Sequence, residues 1–299
     1  LRRFFIFLAC SLLWTAAEGK SFASGHPAVA MLGLYGLKTD RPVHVNPYLV
    51  SILALHSIHA GRHTVEVRDF IQWALARLNA SDRYGLRGTM DDYSIGEGWE
   101  KPTGTYDSAD GYAGLFLSLL WVYAGKTADQ ALLDRHRTEM RAMASVISSL
   151  ADRDGLTAPF PKGKVKYLMN NCEAYGGIRA FNRIQRGLGP KEGSLDALES
   201  TLKKAILSHF YNPKRANFFW AVSGDEKWES HWEKDYPDAF AQIFPVFYGL
   251  LEEDPETERS LWQRFMSRYE EKIEAFPLEQ SLMIRMTRDR FLDRHKMPR

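Results

Sequence analysis

Apolar residues recur at three-to-four spacing along most of the chain. Tyr48 to Ala60, Val65 to Leu78, Gly111 to Tyr123, Ala131 to Leu150, Ala174 to Ile184, Leu195 to Phe210, Ala239 to Leu251 and Leu261 to Phe276 all carry that period. It places their apolar side chains along one helix face. Strand-like alternation is confined to short stretches such as Phe218 to Val222. The pattern predicts loop, helix, turn and helix in succession, and so an all-α chain of antiparallel helical pairs.

A repeat underlies these pairs. Asp107, Asp110, Tyr112 and Gly114 match Asn170, Glu173, Tyr175 and Gly177 in type and spacing, and Asp235, Asp238, Phe240 and Gln242 follow with one departure, Gln242 for glycine. A weaker copy contains Asn46 and Tyr48. Asn46, Asp110, Glu173 and Asp238 are separated by 64, 63 and 65 positions. A second signature, Asp82-Arg83-Tyr84-Gly85-Leu86, recurs as Asp152-Arg153-Asp154-Gly155-Leu156. Each copy follows a helical stretch, where glycine supplies the left-handed residue that ends it.

A fixed period of this length means either an open solenoid or a closed ring of hairpins. Ala113, Gly114, Gly176, Gly177 and Ala241 lie one turn beyond the repeated acids. Small residues beside an acid on one face suit a place where several helices converge, which favours the ring. The expected architecture is an (α/α) toroid of five to six antiparallel helical hairpins. Shorter pairs at the ends, Ala28 to Leu37 and Glu279 to Leu292, would complete it.

Composition narrows the function. Lys and Arg number 39 against 37 Asp and Glu, and the basic residues are scattered. No nucleic-acid footprint is therefore expected. His56 and His59 share a helix face, but no cysteine or carboxylate completes a ligand set, so neither a catalytic metal nor a cofactor is expected. Cys172, within an apolar helix, reads as a small core residue.

The repeated acids carry the candidate chemistry. In a ring, Asp110, Glu173 and Asp238 would begin equivalent inner helices and meet at one rim. Paired carboxylates are what glycosidic bond cleavage uses, one protonated to donate to the leaving oxygen and one ionised. Glu173, among Met169, Cys172, Ala174 and Ile178, suits the acid, because an apolar setting raises a carboxyl pKa. Asp110 suits the base, with Asp107 and Ser108 giving it wetter surroundings, and Asp238 is the reserve. Sugars offer flat C–H faces and hydroxyl edges, so rings and polar groups in the preceding loops become candidate substrate contacts. These are Asp107, Asn170, Tyr93, Glu97, Trp99, Tyr106, Trp228, Trp232, Tyr236 and Gln242, with Phe218 and Trp220 expected to plug gaps instead.

Tyr106 to Tyr112, Tyr167 to Tyr175 and Tyr236 to Gln242 resemble the helix-start motifs of bacterial six-hairpin glycosidase-like proteins. The resemblance spans about Val45 to Leu251. It implies an (α/α) toroid acting on a polysaccharide or oligosaccharide, with catalytic acids at the mouth. Two other readings remain open at this stage. One is a non-catalytic glycan-binding ring or scaffold with an export-machinery partner. The other is a polysaccharide lyase, which an acidic rim disfavours because it would repel a uronate chain.

The first residues read as an address. Leu1 to Arg3 are partly basic, Phe4 to Trp14 are eleven apolar residues, and Thr15, Ala16 and Ala17 follow. That is the layout of a signal peptide, and it falls short of the ~20 residues needed to span a bilayer. The apolar stretch before Cys10 is too short for a lipoprotein acceptor site. Residues 1–23 are thus expected to be removed, leaving 24–299 as one toroid domain without a membrane segment, periplasmic or secreted. N-terminal sequencing of exported material should begin between Glu18 and Ser24. An intact Leu1 on protein recovered from the cytoplasm would refute this.

Overall fold

The computed structural model describes residues 25–40, 42–189 and 194–296, so the expected signal peptide lies outside the described residues. In chain order the helices are α1 (Pro27–Leu34), α2 (Pro47–His59), α3 (Thr64–Leu75), α4 (Ala109–Thr127), α5 (Gln130–Arg135) and α6 (Arg137–Leu150). They continue as α7 (Leu168–Leu188), α8 (Asp196–Phe210), α9 (Ile243–Phe247), α10 (Pro255–Tyr269) and α11 (Leu278–His295). A π-helical turn, Asp235–Ala239, leads toward α9.

Burial sorts these helices into two layers. In α4, every residue from Ala109 to Leu120 is buried. An element apolar on all sides belongs inside. On α6 the buried residues are Met140, Met143, Ala144, Val146, Ile147 and Leu150, a single stripe. The inner layer is α2, α4, α7, α9 and α11, each packed on the next, and α11 returns to α2 and closes the ring. Helices α3, α6, α8 and α10 pack outside α2, α4, α7 and α9 respectively, and α1 covers α2 and α3. This is the expected all-α (α/α) toroid. The two end segments anticipated as shorter pairs are single helices, α1 and α11, and α11 supplies the closure.

Local chemistry fixes the helix starts. The Asn46 side chain accepts from Leu49 N at 2.9 Å and Asp254 from Thr257 N at 3.1 Å, with Pro47 and Pro255 in the first turns. These side chains satisfy amide groups that no helix carbonyl can reach. Both copies of the Asp-x-x-Gly-Leu signature form the same turn. Gly85 and Gly155 lie at φ +79° and +81° and donate to Asp82 O and Asp152 O, while Asp82 N and Asp152 N donate to Leu86 O and Leu156 O.

Small antiparallel sheets border the ring. Val43–Val45, Tyr93–Gly96 and Trp99–Pro102 form one, joining the approaches to α2 and α4. Lys166–Tyr167, Ala221–Ser223 and Glu226–Trp228 form another before α7.

The tightest seam runs between α4 and α7. A Cβ on Gly177 would lie 2.4 Å from Gly114 Cα, and one on Gly114 only 2.2 Å from Glu173 O. Backbone stands on both sides, so no side chain can swing away. Gly177→Ala should therefore cost about 1–3 kcal/mol through overpacking, seen as a fall of several degrees in Tm. Gly125→Ala, in the same α4 but with nothing within 4 Å of the new Cβ, should raise Tm through helix propensity. Equal effects of the two substitutions would contradict the seam's role.

Candidate active site

The first turn of α4 carries Asp110, which has no exposed surface. Thr157 Oγ1 donates to its Oδ2 at 2.7 Å, and Asn170 Nδ2 and Gly111 N donate to its Oδ1 at 3.1 and 2.8 Å. Thr157 reaches it because the Asp152–Leu156 turn ends just before, and Asn171 Oδ1 holds Thr157 N at 2.8 Å. Burial raises the Asp110 pKa, and its hydrogen bonds only partly oppose the rise. The wetter surroundings expected for this acid are not what the fold provides, because the α4–α7 seam closes over it.

Glu173, in the second turn of α7, is 2% exposed. Its Oε1 accepts from Tyr48 OH at 2.5 Å. Gly111 makes room for it, since a Cβ there would stand 2.6 Å from Glu173 Oε2. Burial pushes its pKa well above the usual carboxylate range, the Tyr48 bond opposes that, and the charges of Asp110 and Asp107 add to the rise. Tyr248 stands under Glu173, its hydroxyl buried without a hydrogen-bond partner.

Two further carboxylates face outward. Asp107 opens onto solvent immediately before α4, yet burial of its carboxyl among the surrounding loops, with Asp110 adding repulsion, brings its pKa up to about 6. A helix N-terminus stabilises an anion by ~0.3–1 kcal/mol, which would lower a pKa by less than one pH unit. Burial and the neighbouring acid outweigh it. Asp92, its side chain 17% exposed, lies in the approach to the same mouth and rises to about 7 through burial, then Asp107, then Asp91. Across the opening, Tyr236 interacts electrostatically with Asp107, Glu173, Tyr167 and Glu279. Glu279, in the first turn of α11, is itself raised by burial. Tyr48, Asp107, Glu173, Tyr236 and Glu279 thus mark one mouth, formed by the starts of five inner segments.

The other anticipated site residues have different tasks. Asp238 also begins an inner segment, but its carboxylate is taken by Ser230 Oγ and by His231 N at 3.2 Å, which brace the preceding loop. Gln242 is locked to both the N–H and the carbonyl of Phe218 at 2.8 and 2.9 Å. Tyr106 donates to Asp82 and so holds the first signature turn. Trp232 is buried, with the Arg264 guanidinium over its ring and Tyr269 OH on its carbonyl. Tyr93 is buried edge-on against Trp73. Trp99 is exposed but lines an outer groove with His26 and Trp73, and Glu97 is exposed in the adjoining turn. Trp228 is half-buried and tilted against Trp220, while Phe218 is fully buried. Of the anticipated contacts, Asp107, Asn170 and Tyr236 meet around Asp110 and Glu173.

Asp92, Glu279 and Tyr48 complete the mouth without having been singled out as site residues. Tyr48 had a signal, because it holds the aromatic position of the weak repeat. Glu279 had none in the period, since it follows Asp238 by 41 positions rather than about 64.

The raised carboxyls have a consequence for stability. Unfolded, they titrate near ~3.9, whereas folded Asp107 and Asp92 titrate at about 6 and about 7. Between about pH 4 and pH 7 the folded state keeps protons the unfolded state has released, so their contribution is full below pH 4 and is lost as pH rises. Asp92→Asn should match the parent Tm at pH 4 and exceed it by a few degrees at pH 8. A constant offset across melts at pH 4, 6 and 8 would contradict this.

No family model and no curated protein sequence matches the chain. Solved structures do. A rhamnosidase from Klebsiella oxytoca aligns at TM-score 0.59 and 13% identity over 90% of this chain and 53% of its own. A GH78 rhamnosidase from Bacillus sp. GL1 aligns at 0.55 and 13%, over 84% of this chain and 26% of its own. A GH76 α-mannanase from Bacteroides thetaiotaomicron aligns at 0.53 and 10%, over 85% and 71%. The chain therefore spans about half of the first of these proteins and a quarter of the second. What it shares with them is the fold, a helical toroid.

Proposed function

We propose that the protein is a glycoside hydrolase acting on an oligosaccharide or polysaccharide at this mouth. The observation that carries the reading is the grading of its carboxylates. Asp92 and Asp107 reach solvent with pKa values of about 7 and about 6, while Asp110 and Glu173 lie buried behind them. Neighbouring carboxyls whose environments set different protonation states are what acid–base cleavage of a glycosidic bond needs. The fold shared with a rhamnosidase and a mannanase supports a sugar substrate.

Asp92 is the general acid, substantially protonated near neutrality and able to give its proton to the leaving oxygen. Asp107, mostly ionised at pH 7, is the carboxylate that activates water or attacks the anomeric carbon. Glu173 and Asp110, the pair expected from sequence, are too enclosed to touch a sugar. Asp110 adds to the raised pKa of Asp107, Glu173 fills the space behind Asp110 that Gly111 leaves, and Tyr48 and Asn170 hold the two buried acids in place. Tyr236 lies at the mouth as a sugar-facing ring.

Rhamnosides, mannans and other bacterial glycans assayed for new reducing ends provide the test. Asp107→Asn and Asp92→Asn should each lose about 10²–10⁴-fold in kcat/KM, with Glu173→Gln losing less than tenfold and all three keeping the fold. A loss in Glu173→Gln as large as in Asp107→Asn would return the acid role to Glu173. Glycan binding without cleavage would overturn the hydrolase in favour of a binding ring.

A further inference from the structure

The far end of the ring is chemically the reverse of the mouth. Helix α9 stops at Phe247, whereas α4, α7 and α11 run on for 19, 21 and 18 residues in all. The chain turns away at Gly249, φ +69°. Below that point the ring lacks an inner helix, and a cavity of about 90 Å³ remains. Arg179 and Arg183 from α7 and Arg290 and Arg294 from α11 converge on it, against one lining carboxylate, Glu252.

Part of this cluster is ordinary architecture. Arg290 Nη1 donates at 3.0 Å to Phe247 O, a carbonyl that the short α9 leaves open, and Arg294 Nη2 donates at 2.5 Å to Val246 O, which also accepts from Gly249 N at 3.2 Å. Arg179 is held by Glu252 at 3.0 and 2.5 Å, with Glu199 3.9 Å away. Arg294 pairs with Glu258, which also takes His295. These contacts leave a surplus. Among the described residues neither Arg183 nor Arg290 forms an ion pair. Arg183 lies over the Trp121 ring at 5.8 Å, and Arg294 Nε is buried with no hydrogen-bond partner. Arg290 lies over the Phe247 ring at 4.0 Å. A guanidinium carries five N–H donors, so Arg183 and Arg290 keep donors that no protein acceptor among the described residues takes. Burial brings the Arg290 pKa down to about 10, with Arg294, Arg179 and Arg183 contributing repulsion. Keeping unpaired guanidiniums in a partly closed cavity is costly unless an anion joins them.

We propose that this basal cavity is a binding site for a small oxyanion, held by Arg183, Arg290 and Arg294. Guanidiniums match the geometry of phosphate and carboxylate oxygens through paired N–H donors. The volume admits a phosphate, a sulfate or a carboxylate group but not a sugar ring, so the site is distinct from the mouth and independent of the glycosidase reading. Its occupant ties α7 to α11 where the short α9 leaves them unbridged. Ligand binding to the folded state raises Tm by mass action.

Inorganic phosphate, titrated against sodium chloride of matched ionic strength, should raise Tm saturably, and sodium acetate provides a second arm. Response to phosphate alone assigns a tetrahedral oxyanion, and response to both assigns any carboxylate-bearing group as well. Arg183→Gln, at a half-buried position whose loss spares the helix caps, should move half-saturation at least tenfold higher while leaving Tm in chloride nearly unchanged. Calorimetric titration of phosphate into both proteins gives a measure independent of unfolding. No response beyond chloride in either arm, or the same titration in Arg183→Gln as in the parent, would overturn the site.

Discussion

The contact between α4 and α7 is the constraint on which the rest of the molecule depends. Gly114 and Gly177 let the two backbones meet without side chains between them. That distance sets how far apart the acids near the two helix starts can lie. Asn170 of α7 reaches Asp110 of α4, and Glu173 fills the space left by Gly111. Wider helix spacing would admit water between these groups and weaken the burial that raises both pKa values. The same glycines that make the ring narrow keep the carboxyls behind its mouth buried and their pKa values raised.

Two electrostatic effects compete at that mouth. Every inner segment begins there, so the positive ends of their dipoles converge and favour carboxylates. Burial acts the other way, joined by repulsion at Asp107 and Glu173, and it prevails for Asp107, Asp110 and Glu173, all of which are raised. Asp238 is bonded differently. Ser230 and His231 N spend its oxygens on the loop, and it has left the cluster.

How much of this the sequence carried depends on the physical nature of each signal. Apolar periodicity and the beat of Asn46, Asp110, Glu173 and Asp238 sufficed for the toroid, because both report directly on which face of which helix is buried. Position in the repeat also brought Asp107, Asn170 and Glu173 together correctly. It failed for Trp232, Tyr106 and Gln242, since a ring or amide in a loop looks alike whether it meets a sugar or pins a backbone. It failed also for the surroundings of Asp110, whose polar neighbours in sequence, Asp107 and Ser108, differ from the neighbours in space that enclose it. Glu279 was invisible because the last unit is short, and only ring closure by α11 on α2 brings its first turn to the mouth.

The two ends of the ring follow from one geometric fact, the common direction of its inner helices. Helix starts gather at one end and helix ends at the other, so carboxylates suit the first and guanidiniums the second. Tyr248 stands between, with Glu173 on one side and Arg290 on the other acting on its hydroxyl in opposite senses. The balance of 39 basic against 37 acidic residues conceals this polarity along the axis. At the mouth, carboxyls can shed charge by taking up protons, as the raised pKa values of Asp92 and Asp107 reflect. At the base, arginines have no such recourse, because a guanidinium stays charged at any physiological pH. Glu252 and Glu258 offset two of them, Arg179 and Arg294, and the truncation of α9 leaves the cavity beside Arg183 and Arg290.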